Sequence, residues 1–124
     1  MKKFLSIALL SLIASAAYAD GSVNVNVPPN GIPQTEWHLN GEGLISYQFN
    51  NQTNKTMHFS VVIEKGFTPL YIYCWNKNEP APPTITVYPG VPFECTSNDT
   101  IKMSGDTSQR LKGHYSIQVD NQAK

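Results

Sequence analysis

The chain has 124 residues, a formal net charge of +0, a hydrophobic share of 40% and a charged share of only 15%. That length and apolar share suit one domain with a packed core. The sparse, balanced charge excludes a polybasic nucleic-acid binder, which holds phosphates with clustered Lys and Arg, and also an acidic disordered tail.

The first residues set the compartment. Met1-Lys2-Lys3 is a short basic start, residues 4–17 are almost wholly apolar or small, and Ala17-Tyr18-Ala19 has the small-x-small pattern that signal peptidases cut. Together they predict a signal peptide over 1–19 and a single domain over 20–124. The apolar run is shorter than the ~20 residues that span a bilayer, so no transmembrane segment is expected. The protein is placed in the periplasm or outside the cell. In such an oxidising compartment the two cysteines, Cys74 and Cys95, read as one disulfide. The chain-entropy model gives that link roughly 3 kcal/mol.

Beyond the leader the recurring signal is period two, that of a strand with one buried face. Val23, Val25 and Val27 alternate with Asn24 and Asn26 until Pro28-Pro29. Trp37 and Leu39 suggest a short strand. Ile45, Tyr47 and Phe49 alternate with polar residues. After a polar stretch at 50–56, Met57, Phe59, Val61 and Ile63 alternate strictly. These two runs are expected to pair as a hairpin with a long loop. A strand over 70–75 precedes a Pro-rich loop at 76–83, and another covers 84–88 up to the turn at Pro89-Gly90. Val91, Phe93 and Cys95 are expected to share one face. Ile101 and Met103 continue the pattern after a turn at 97–99, and Tyr115, Ile117 and Val119 end it. Seven to nine short strands at this spacing predict an all-β fold, a small antiparallel β-sandwich, Ig-like or jelly-roll-like, with one disulfide.

Chemical motifs are sparse. No G-x-S-x-G elbow surrounds any serine. His38, His58 and His114 lack zinc spacing, Met103 has no nearby His to complete a copper set with Cys95, and no run of acids forms a calcium loop. No metal, cofactor or catalytic residue is therefore assigned. The Asn51, Asn54 and Asn98 sequons read as turn residues.

Face parity supplies the candidate site. Along 70–75 one face carries Leu70, Ile72 and Cys74 and the other Tyr71, Tyr73 and Trp75. If the disulfide points inward, the aromatic face points out, with Tyr88 extending it. Aromatic rings with polar tips suit a glycan, a peptide or a protein partner. A second candidate is the polar segment 105–114, read as a loop presenting Arg110, Lys112 and His114 as a small cationic face. The expected function is an exported, non-enzymatic binding module for a glycan, peptide or protein. The alternatives are an envelope or filament subunit that pairs through the Val23 to Val27 strand, and a small secreted hydrolase with two distant carboxylates.

Overall fold

The computed structural model describes the backbone of residues 16–19 and the whole of residues 21–40, 46–105 and 109–120. Ten strands run through them: β1 (Ala16–Ala19), β2 (Ser22–Val27), β3 (Ile32–Leu39), β4 (Ser46–Asn51), β5 (Met57–Lys65), β6 (Leu70–Cys74), β7 (Ile85–Val87), β8 (Phe93–Ser97), β9 (Thr100–Gly105) and β10 (Leu111–Val119). They form a larger sheet in the order β1-β2-β4-β9-β6-β7 and a smaller one in the order β3-β10-β5-β8. The fold is thus an all-β, two-sheet sandwich with one disulfide. The strand count exceeds the expected seven to nine because the last residues of the expected leader, Ala16–Ala19, pair antiparallel with β2. The pairing is antiparallel except between β2 and β4, which run parallel in an unbroken register from Ser22↔Ser46 to Val27↔Asn51.

Alternation explains the core. On β5, Met57, Phe59, Val61 and Ile63 are buried, while His58, Ser60, Val62 and Glu64 lie on the opposite face. The Val23, Val25 and Val27 row of β2, Leu70 and Ile72 of β6, and Ile101 and Met103 of β9 close the core from the other sheet. At its centre the Phe49 ring lies 4.9 Å from Tyr115 and 5.4 Å from Phe59. Such tilted ring pairs add to the energy of area burial. Burial, helped by neighbouring Tyr47, pushes the Tyr115 hydroxyl up to about 12.

Several sequence expectations change. The runs of β4 and β5 are not a hairpin: β4 pairs with β2 and β9, whereas β5 pairs with β10 and β8. Their apolar faces meet across the sandwich, and the polar stretch between them is an arch. Asn51 shapes that arch by donating from Nδ2 to the Lys55 carbonyl at 2.7 Å and accepting from Thr53 N at 2.8 Å. Alternation defines one apolar face per strand but not whether two such faces lie side by side or opposed. The Trp37 and Leu39 strand begins at Ile32, and Val91 lies in the turn after β7, 56% exposed, rather than on the inner face of β8. Ile45 lies outside the described residues.

The segment read as a loop up to His114 is also corrected, because β10 begins at Leu111. Its glycine has a steric reason. A Cβ on Gly113 would stand 1.9 Å from the Val62 carbonyl oxygen and 2.9 Å from Trp37 Cζ2. Gly113 pairs with Trp37 on one side and, after a register shift, with Ile63 on the other. The indole therefore crosses β10 where a side chain would otherwise stand.

Cys74 on β6 and Cys95 on β8 form the predicted disulfide across a sequence separation of 21, with Cα atoms 6.7 Å apart. The bond joins the larger sheet to the smaller one. Both cysteines pack against the core, as the inward parity requires.

Candidate binding face of the larger sheet

With Leu70 and Ile72 buried, Tyr71, Tyr73 and Trp75 stand on the outer face of the larger sheet. They are half-buried rather than freely exposed. Part of that cover is mutual: the Tyr73 and Trp75 rings stack with centroids 5.4 Å apart and planes 14° from parallel. Tyr88 is 61% exposed, but it follows the far end of β7, beyond the Tyr71↔Thr86 pair and away from Trp75. It extends the strip only at the Tyr71 end.

The strand order places a polar carpet beside these rings. Tyr73 is registered with Lys102, Lys102 with Gln48, and Gln48 with Asn24. One row over, Tyr71 leads to Ser104, Ser46 and Ser22. On the other side the Trp75 amide donates to the Thr100 carbonyl at 2.8 Å, and Thr100 leads to Asn50 and Asn26. The face thus grades from aromatic at β6 to hydroxyl and amide at β4 and β2. Lys102 is the single charged side chain among the described strand residues of this face.

The polar groups hold one another in place. Ser22 and Ser46 hydroxyls are 2.7 Å apart, Gln48 Nε2 donates to Asn50 Oδ1 at 3.0 Å, and Gln52 Nε2 donates to Asn26 Oδ1 at 3.4 Å. A side-chain amide has two donors and two lone pairs, so these contacts orient the groups without exhausting them. The Trp75 end is fixed equally well. Ser97 Oγ donates to the Trp75 carbonyl, the Asn98 amide donates to Asn76 Oδ1 at 3.0 Å, and the Lys77 amide donates to Asn98 Oδ1 at 2.7 Å. Asn98 is thus committed to this clasp, and the adjacent Cys74 is tied across the sandwich. A surface held this way has little side-chain freedom left to lose.

The second candidate group is differently arranged. Lys112 and His114 lie on the outer face of the smaller sheet, and both have acidic partners: Lys112 Nζ is 3.0 Å from Glu36 Oε2 and His114 Nδ1 is 2.7 Å from Glu64 Oε1. The hydrogen bond from Lys112 is the main cause holding the Glu36 carboxyl below its usual range. His58 is likewise 2.6 Å from Asp120. Arg110 sits exposed just before β10. Arg110 and Lys112 line one pocket with Glu36, His38 and Lys65, whereas His114 stands apart from it beside Glu64, so the three residues do not converge on a single site.

Among the described residues, no cluster of three or more His, Cys, Asp or Glu could hold a metal ion, and no helix is long and apolar enough to cross a membrane. Gln48, Asn50, Asn24, Asn26 and Lys102 join the candidate face although the sequence reading did not single them out. Alternation already marked them as outward, but only the β2–β4–β9–β6 order sets them beside the aromatic strip.

No protein-family model matches the chain, and neither does any curated protein. Among solved structures, a cupin domain from Bordetella pertussis Tohama I is similar over 88% of this chain and 93% of its own, at 13% identity and a TM-score of 0.41. A pre-peptidase C-terminal domain of collagenase from Bacillus anthracis is similar over 84% and 99%, at 12% identity and a TM-score of 0.43. A chain described with Bacillus endospore appendages, disulfide-linked pili, is similar over 83% and 94%, at 15% identity and a TM-score of 0.37. The likeness is one of β-rich architecture and brings no ligand or activity with it.

Proposed function

We infer that the protein is a non-enzymatic binding module that recognises a neutral glycan on the outer face of its larger sheet. The observation that carries this reading is the stacked Tyr73–Trp75 pair at the border of a hydroxyl and amide carpet. Sugar rings combine an apolar C–H face, which packs on an aromatic ring, with hydroxyls that need donors and acceptors in fixed places. Tyr73 and Trp75 offer the first, and Gln48, Asn50 and Asn24 the second. The low charge of the face favours a neutral ligand over an anionic one, since Lys102 is its single cation among the described strand residues. The disulfide fits an exported protein, and the basic and apolar start of the chain supports export by a cleaved leader.

The test is a titration with soluble β-1,4-linked glucose and N-acetylglucosamine oligomers, read by intrinsic fluorescence. The chain has two tryptophans; Trp37 is fully buried, so a change on binding reports Trp75. A saturable response is expected in the native protein, and isothermal titration calorimetry, which needs no tryptophan reporter, should show the affinity weakened about 30-fold or more by Trp75→Ala, as for an aromatic hot spot of ~2 kcal/mol. Gln48→Ala should also weaken it. Absence of a response across the panel, or full affinity in Trp75→Ala, overturns the reading.

A further inference from the structure

The sheet edges are unevenly protected. β3 carries Pro33 and Glu36, β7 has three residues between Pro83 and Pro89, and β8 carries Glu94 just after Pro92. Prolines, charges and short length are the devices that stop an edge from pairing with another chain. β2 has none of them. Its sequence is Ser-Val-Asn-Val-Asn-Val, without charge, proline or glycine, and its register with β4 runs without a bulge. In the full chain this edge is covered by β1, from Ala16↔Val25 to Ala19↔Ser22. Residues 16–19 are also the end of the segment that reads as a leader cut after Ala19.

We propose that cleavage after Ala19 uncovers β2 and that the processed chain dimerises by antiparallel pairing of β2 with β2 of a second copy. The occupant is argued from the edge itself. β1 demonstrates that the space beside β2 admits an antiparallel strand. A second β2, related by a two-fold axis normal to the sheet, sets Val against Val on the core side and Asn against Asn on the outer side. No like charges meet, because β2 has none. The leader segment then acts as an edge cover in the precursor, and its removal switches pairing on.

One consequence rests on the glycan reading given above, although the dimer itself does not. Five strands from each copy form one sheet whose outer faces point the same way. The two β6 strips are then seven inter-strand steps apart, about 34 Å at ~4.8 Å per step. A polymeric ligand long enough to span them would bind with avidity.

The experiment expresses the full chain with export, reads the N-terminus of the exported protein by mass spectrometry, and follows its oligomeric state by analytical ultracentrifugation across the micromolar range. The expected result is a chain beginning at Asp20 that is a concentration-dependent dimer. Asn24→Lys combined with Asn26→Lys sets like charges against each other across the edge. It should weaken the dimer at least about tenfold at low salt, with recovery as salt screens the repulsion. Asn24→Gln combined with Asn26→Gln is the neutral control and should still dimerise; a melt of each variant confirms that the sandwich is intact. The proposal is overturned by an exported chain that retains residues 16–19, by a monomeric chain that begins at Asp20, or by a folded double-Lys variant that dimerises normally. None of these outcomes depends on ligand binding.

Discussion

The two tryptophans test the sidedness of the sandwich directly. Trp37 has 0% exposure between the sheets, whereas Trp75 is half-buried on the outer face against Tyr73. Truncating Trp75 to Ala leaves no sealed cavity, because solvent can enter from the open side. The loss is the Tyr73 ring pair, ~0.5–1.5 kcal/mol, plus a partial transfer term of similar size, so about 1–3 kcal/mol in all. Truncating Trp37 to Ala removes a fully enclosed ring and should cost ~3–5 kcal/mol. For a domain of this size ~1 kcal/mol moves Tm by ~4–8 °C, so thermal melts separate the two variants. Acrylamide quenching gives a second reading: Trp37→Phe leaves Trp75, which should be quenched readily, and Trp75→Phe leaves Trp37, which should be shielded. A Trp75→Ala variant as unstable as Trp37→Ala, or equal quenching of the two indoles, would refute the placement of the aromatic strip on a solvent-facing surface.

Three further outcomes follow from the geometry. Replacing Cys74 and Cys95 together by Ala should lower stability by roughly 3 kcal/mol in a denaturant titration, since the bond closes a loop of separation 21; no loss on reduction of the native protein would contradict this. Gly113→Ala forces a Cβ onto the Val62 carbonyl oxygen and the Trp37 ring and should cost at least ~1–3 kcal/mol, measurable as a lowered Tm with altered near-UV dichroism from Trp37. Tyr115 ionises near 10 when unfolded and about 12 when folded. Its contribution is therefore fully present below pH ~10 and is lost as pH rises through the folded value, up to ~2–3 kcal/mol over that window. Tyr115→Phe should flatten that part of the alkaline stability curve.

What depends on neighbours along the chain was legible from the order of residues alone. Period-two alternation fixed which side chains of β2, β5, β6 and β10 point inward, because successive residues of a strand must face opposite ways. It set Tyr71, Tyr73 and Trp75 on the face opposite Cys74, outward only if the disulfide points inward, and the pairing of Cys74 with Cys95 followed from there being two cysteines in the chain. What depends on the partners of each strand emerged only once the sheets were assembled. The parallel β2–β4 pair and the β4–β9–β6 order bring Asn24, Gln48, Asn50 and Lys102 beside the aromatic strip. The split of β4 and β5 between the sheets turns an expected hairpin into an arch. Lys112 and His114 are paired with Glu36 and Glu64 from strands distant in sequence. Strand alternation is a property of one segment, whereas sheet order is chosen by how all the apolar faces close over a common core, and no single segment carries that information.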